Sequence, residues 1–319
     1  MKAIIREGYG NPDVIKVQEV IKPIPKSEEL LVRVHATTVN RTDCGTLTGK
    51  PFIFRFFIGL FSPKKKILGT DFAGEVVAVG REVRNFTIGD RVWGLHDEGL
   101  QSQAEYMSIS EAADILKIPD EVSYEDAAAS AEGAHYAYNF VTKLKLKTGD
   151  KVLVNGATGA IGSAAIQILK YYDCYVTAVA NTKNMDLIRS YGVDKLYNYE
   201  TEDFTQDEEQ YDYVCDAVGK SHFAACKPLL KEGGIYLSSE LGPGAQNIYL
   251  PLLTLWSKKK VKFPIPVRRK RSLLFIRRLM KEGKFKPIID RHYEMRDAAK
   301  AYEYVLTGQK TGNVILKVN

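Results

Sequence analysis

The stretch Asn155-Gly156-Ala157-Thr158-Gly159-Ala160-Ile161-Gly162 is the most chemically suggestive run in the chain. Glycines at a spacing of three remove side-chain bulk, so backbone N–H groups can close on a phosphate. The run is preceded by Val152-Leu153-Val154, a short apolar strand former. It is followed by residues 163–170, where Ala165, Ile168 and Leu169 fall on one helical stripe. Strand, glycine turn and helix together open a dinucleotide-binding βαβ unit, with the pyrophosphate at the helix N-terminus. The spacing is Gly-x-x-Gly-x-x-Gly rather than the commoner Gly-x-Gly-x-x-Gly. Gly156, Thr158, Gly159, Ala160, Ile161 and Gly162 are therefore expected around a pyrophosphate.

A second strand, 175–180, runs into Asn181-Thr182-Lys183-Asn184. A site for NAD usually carries an acidic side chain here to accept from the ribose hydroxyls. This loop has none that would repel a 2′-phosphate. Asn181 and Thr182 can donate, and Lys183 brings positive charge. The expected cofactor is NADPH.

These groups must be held by a scaffold, and 319 residues suffice for two ordinary domains. The composition, 45% hydrophobic and 26% charged, is that of a globular protein, and no apolar run approaches a membrane span. The start reads as a first strand rather than a signal peptide, so a cytoplasmic location is expected. Cys44, Cys174, Cys215 and Cys226 are scattered, which argues for buried thiols rather than a disulfide framework or zinc knuckle. The net charge of +6 owes much to Lys258-Lys259-Lys260, Lys262 and Arg268-Arg269-Lys270-Arg271. With no nucleic-acid motif beside it, this run reads as a solvated segment, and neither nucleic acid nor a membrane is the expected partner.

Up to about Pro119 the pattern is β-rich, with strands expected over 2–5, 14–17, 30–39, 74–79, 91–94 and 104–109, as in an antiparallel barrel. Residues 51–61 depart from it: five phenylalanines lie between 52 and 61, closed by Lys64-Lys65-Lys66. They read either as a core plug or as an apolar lid over a substrate. From about Ser123 strands alternate with helices, as in a parallel doubly wound sheet. Strands are expected over 151–154, 175–180, 211–217 and 235–239, with helices over 161–172, 185–191 and 221–230. Helices over 273–281 and 297–306 precede a last strand, 313–318, expected to return to the N-terminal domain. The fold is thus α/β. Residues 1–122, completed by 262–319, form a β-rich catalytic domain, and 123–261 form the dinucleotide domain.

The order of these parts resembles the medium-chain dehydrogenase/reductase superfamily over essentially the whole chain. The closest branch is the zinc-free quinone oxidoreductases, which are zeta-crystallin-like. The resemblance rests on Gly149-Asp150-x-x-Leu153, the glycine run and Gln167-x-x-Lys170. Asn40-Arg41-Thr42-Asp43, 68–76 (Leu-Gly-Thr-Asp-Phe-Ala-Gly-Glu-Val), Asp216-Ala217-Val218-Gly219 and Gly308-x-x-x-Gly312-Asn313-Val314 support it. Thr158 and Ala160 stand where a smaller residue and a glycine are more usual. The resemblance implies a GroES-like barrel beside a Rossmann domain.

It also implies roles. Tyr199 matches a tyrosine lying against the 2′-phosphate, and Val218 and Gly219 match the loop beside the nicotinamide ribose. Leu241 and Gly242 follow the next strand and are expected to flank the nicotinamide; Asn313 is a further carry-over. Zinc-dependent relatives have cysteine in place of Asn40, histidine in place of Thr70 and four cysteines beyond Trp93. No cysteine lies in 95–106 here, and Glu132 and Asp71 read as structural hydrogen-bonding groups, so no metal is expected. Asn40 is then an orienting donor near the nicotinamide and Thr70 a second one. Related enoyl-thioester reductases use a tyrosine soon after the Asn-x-x-Asp segment, and Gly49-Lys50-Pro51-Phe52 has none. The expected activity is NADPH-dependent hydride transfer to an apolar quinone or α,β-unsaturated carbonyl. The alternatives are an NADP-dependent alcohol dehydrogenase or ketone reductase, and a non-enzymatic nucleotide- or RNA-binding crystallin-like protein. The family commonly forms homodimers, and one is expected here.

Overall fold

The computed structural model describes residues 1–318. They form two compact units: residues 1–132 together with the chain from Arg269, and residues 133–268. Among the described residues no helix is long and apolar enough to cross a membrane.

The first unit opens with an antiparallel ribbon of β1 (Lys2–Arg6) and β2 (Ile15–Glu19). Its hub is β3 (Glu29–Val39), eleven residues with apolar side chains such as Leu30, Val32, Val34 and Val39 in the core. Helix α1 (Arg41–Thr48) follows at once, then a 3-10 turn over Phe52–Phe54 and the short helix α2 (Arg55–Ile58). Strands β4 (Asp71–Val79), β5 (Arg91–Leu95), β6 (Tyr106–Ser110) and β7 (Ile115–Lys117) come next. Helix α3 (Tyr124–Ala129) closes this part of the chain, and α4 (Glu132–Val141) belongs to the second unit from Gly133 on.

The second unit contains β8 (Lys151–Asn155), α5 (Ala160–Tyr171), β9 (Tyr175–Ala180), α6 (Met185–Arg189) and β10 (Lys195–Asn198). It continues through β11 (Tyr211–Asp216), α7 (Phe223–Cys226), β12 (Leu230–Ser238), α8 (Gln246–Leu253) and β13 (Lys260–Lys262). All its pairings are parallel, in the order β10-β9-β8-β11-β12-β13. That is the doubly wound order of a Rossmann fold, with the direction of travel reversing between β8 and β11. Val152, Leu153 and Val154 are fully buried, as a strand covered on both faces requires.

The chain returns to the first unit as α9 (Arg269–Lys281), β14 (Ile289–Glu294), α10 (Ala298–Leu306) and β15 (Asn313–Lys317). The first unit's main sheet runs β14-β15-β3-β4-β5-β7, with β6 also on β3. Its pairings are antiparallel except β14 with β15. Val314 pairs with Val39, so the last strand does return to the N-terminal unit.

Local pattern left α3, α4 and α8 unread and misled at two further places. The helix expected over 221–230 shrinks to one turn, and β12 begins already at Leu230. Gly233, at φ 83°, is absorbed within that strand and accompanies a register shift against β11. The eight-residue α1 went unread because three threonines and a glycine give it poor helix propensity. Reciprocal capping makes it possible: the Asn40 side chain accepts from the Asp43 N–H while Asp43 accepts from that of Asn40. Gly49, left-handed at φ 63°, stops it.

Candidate functional site

In the second unit the glycine loop sits at the C-terminal end of β8, beside the reversal point where open α/β sheets bind ligands. Gly156 adopts φ 81°, and a Cβ there would lie 2.7 Å from that of Val218 on the loop after β11. Gly159 caps α5, whose first turn holds no acidic residue. The unpaired N–H groups of this twelve-residue helix and its dipole favour an anion there. Gly162 lets α5 pass close to the turn: a Cβ would meet the Gly156 carbonyl oxygen at 2.1 Å. Ala160, replacing a more usual glycine, has its space supplied by Gly133, where a Cβ would come within 2.7 Å of the Ala160 Cβ.

The neighbouring strands end at the same sheet edge. β11 ends in Asp216, a buried carboxyl that accepts from Asn155 Nδ2 (3.1 Å), the Gly219 N–H (3.0 Å) and the Tyr236 hydroxyl (3.1 Å). The Val218 and Ser221 N–H groups also donate to it at 3.3 Å. Burial raises its pKa, and these donors oppose the rise. Asp216 thereby folds the loop presenting Val218 and Gly219. After β12, Leu241 accepts from the Asn247 N–H at 2.9 Å and Gly242 takes φ 72°. The structure thus gathers the loop residues 156–162, Val218, Gly219, Leu241 and Gly242 on one edge of one sheet.

β9 leads to Asn181, Thr182 and Lys183, the last two exposed, with Tyr199 half-exposed after the adjacent β10. Sequence reading missed a neighbour here. The Glu200 carboxylate accepts from the Thr182 N–H (3.1 Å) and hydroxyl, which hold its pKa below the usual range. An acid therefore does stand at this corner, brought from eighteen residues away by the pairing of β9 with β10. Asn313 belongs to the first unit, where its Nδ2 donates to the Ile288 carbonyl at 3.0 Å.

In the first unit Asn40 and Thr70 meet within a buried polar cluster. Asn40 Nδ2 donates to Thr70 Oγ1 (2.9 Å), Thr38 Oγ1 (3.2 Å) and Asp71 Oδ2 (3.2 Å). Its Oδ1 is taken by the Asp43 N–H at 2.8 Å. The Thr70 hydroxyl donates in turn to Asp43 Oδ1 at 3.0 Å. Asp71 accepts further from the Thr38 N–H (2.7 Å) and from the Thr37 and Thr38 hydroxyls. Burial raises both carboxyls, and the charge of Asp71 raises Asp43 further. Asp71 has the more donors, so Asp43 is the member that keeps a proton. Asn40 organises this cluster with its own hydrogens committed inside it.

Two residues along α1, the half-buried Thr42 donates to Glu132 Oε1 at 2.9 Å. Burial lifts the Glu132 carboxyl to about 7, against the lowering effects of Thr42 and the Lys310 ammonium. Nothing in the local sequence around Glu132 announces this; the pairing spans 90 residues. The cluster does not offer a zinc site. Its donors are an amide and hydroxyls, its carboxyls already serve N–H and O–H groups, and zinc wants converging thiolate, imidazole or free carboxylate ligands. Among the described residues no group of three or more His, Cys, Asp or Glu is placed to hold a metal ion.

Residues 26–120 match the model of the alcohol dehydrogenase GroES-like domain and 191–316 that of a zinc-binding dehydrogenase. The chain is 32% identical to the chloroplast envelope quinone oxidoreductase homolog of Arabidopsis thaliana, covering 99% of this chain and 98% of the relative. It is 28% identical to the NADPH-dependent alkenal/one oxidoreductase of the same plant, over 99% of this chain and 79% of that one. The solved quinone oxidoreductase of Coxiella burnetii superposes with a TM-score of 0.89 at 28% identity, covering 100% of this chain and 99% of that one.

Two outcomes follow from this geometry. Gly162→Val forces the loop away from α5, and nicotinamide dinucleotide affinity by fluorescence titration should fall by more than about tenfold, ~1.4 kcal/mol. Unchanged affinity would show that the loop does not hold the nucleotide. Asp43, with its raised pKa, binds a proton more tightly folded than unfolded. Its contribution to stability is therefore present below about pH 4 and lost as pH rises through the folded value. Asp43→Asn should flatten the fall in urea-unfolding free energy above about pH 4; an unaltered slope would assign that fall to other groups.

Proposed function

The chain belongs to the medium-chain dehydrogenase/reductase superfamily, in its quinone oxidoreductase branch, and from that premise we propose an NADPH-dependent, zinc-independent reductase of quinones or α,β-unsaturated carbonyls. It is an oxidoreductase with a nicotinamide cofactor. The observation that carries the reading is the glycine loop at the reversal point of the six-stranded sheet. The named activities of the similar quinone and alkenal/one oxidoreductases support the acceptor class.

When bound, the nicotinamide supplies the hydride. The loop 156–162 and the start of α5 hold the pyrophosphate, and Val218, Gly219, Leu241 and Gly242 shape the edge beyond it. In the first unit Asn40 and Thr70 act by position: they fix α1 and thereby aim Thr42. Hydride addition to an enone builds negative charge on the carbonyl oxygen, which hydrogen-bond donors stabilise. With Glu132 protonated, its bond with Thr42 reverses, Glu132 donating to Thr42 Oγ1; the Thr42 hydroxyl proton then completes the reduction and the Glu132 proton replaces it. Glu132 is then left as a carboxylate beside Lys310 and regains its proton from solvent. Simple alcohols, which need a strong Lewis acid or base, are poor substrates for this donor set. The family's homodimer is part of the proposal: β13 ends the sheet, and Leu252, Leu253 and Trp256 stand exposed before it.

Lys183, Tyr199 and the absence of an acid within 179–184 support NADPH. Glu200 against Thr182 supports a second reading, NADH, because a carboxylate there accepts from a free ribose hydroxyl. Competitive titration separates them. On the first reading NADPH binds more tightly and Lys183→Glu costs about tenfold or more in its affinity alone. On the second, NADH binds more tightly and Glu200→Gln weakens it. Because Glu132 is protonated below about 7, enone reduction should fall as pH rises through that value. Glu132→Gln should give a low rate without that limb, and a retained limb would remove Glu132 from proton delivery.

A further inference from the structure

The phenylalanine-rich segment is not a core plug. Phe52, Phe56, Phe57 and Phe61 are 60%, 64%, 59% and 90% exposed, with Ile53 at 57% among them. We propose that this segment, residues 52–61, docks on the surface of an anionic phospholipid bilayer. The proposal does not depend on which acceptor the enzyme reduces.

Its backbone is held while its side chains face outward. Ile58 is buried, Arg55 Nε donates to the Gly49 carbonyl at 3.2 Å, and the Tyr9 hydroxyl donates to that of Gly59. The Arg55 guanidinium lies 4.4 Å from the Tyr9 ring centre, and Phe52 packs edge-on against Phe56 at 5.9 Å. A contiguous aromatic face of this kind is uncommon on a protein that meets only water.

Charge identifies the occupant. Residues 44–70 contain no Asp or Glu but five cations: Lys50, Arg55, Lys64, Lys65 and Lys66. The lysines are exposed; Lys64 and Lys65 each give a hydrogen to a carbonyl, of Phe57 and Gly99, and Lys66 meets Glu7 in an exposed pair. Such pairs contribute little, so their charge stays available to a surface of opposite sign. Aromatic side chains flanked by lysines suit the boundary between acyl chains and anionic headgroups. The expectation of no membrane partner came from the lack of a spanning segment and from reading the basic run 258–271 as solvated. A surface that lies on the bilayer needs none, and apolar acceptors dissolve there.

The test is flotation of the intact protein with phosphatidylcholine vesicles prepared with and without phosphatidylglycerol. The protein should rise with the anionic vesicles and stay behind with the neutral ones. Phe56→Asp with Phe57→Asp should reduce the bound fraction about tenfold at unchanged melting temperature. Lys64→Glu with Lys65→Glu should reduce it as well. No flotation with anionic vesicles would overturn the proposal. Flotation unchanged in the Phe variant would overturn it too, whether that variant instead raised the KM for acceptor, marking a substrate wall, or weakened self-association, marking a contact between copies.

Discussion

A carboxylate buried without a cation must be met by hydrogen-bond donors, and this requirement shapes the candidate site in both units. Asp71, at the start of β4, draws in the Thr37 and Thr38 hydroxyls, the Thr38 N–H and the Asn40 amide. That gathering fastens β4 to the end of β3 and sets where α1 begins. Asp216, at the end of β11, draws in Asn155 from β8, three N–H groups of its own following loop, and Tyr236 from β12. Each aspartate fixes, within its own unit, a segment that carries candidate site residues.

The same accounting is what supports the proposed zinc-independent reading of the first-unit cluster. Each acceptor there is already supplied: Asn40 donates to Thr70 and Asp71, and Thr70 to Asp43. On the proposed reading a reacting molecule meets Thr42, whose hydroxyl is bonded to the Glu132 carboxyl of pKa about 7. A carbonyl activated by conjugation needs no stronger polarisation than such donors give.

Much of this was legible in sequence because it is local. The strand–glycine–helix run, the alternation of strands and helices, and the closing strand 313–318 follow from short-range pattern. Asn40 and Thr70 were singled out because they stand at the zinc-ligand positions of related enzymes; that they bond to each other was not legible, since they lie 30 residues apart. Glu132 was read as a hydrogen-bonding group, but its partner, and the place of Glu200, were not legible because Thr42 and Thr182 lie 90 and 18 residues away. The absence of an acid after β9 was a true statement about that loop and an incomplete one about that corner. Exposure of the phenylalanines was equally hidden: five aromatic residues in ten satisfy the pattern of a core and that of a surface alike.

The central claim is direct transfer of hydride from a bound nicotinamide to carbon without a metal. It is tested most directly by supplying C4-deuterated cofactor and an enone to protein stripped with chelator, then locating the label by NMR. Deuterium on the carbon β to the carbonyl, from one face of the nicotinamide only and at an undiminished rate, is the predicted result. Activity that vanishes on chelation and returns with zinc, or a product that carries label from neither face, would contradict it.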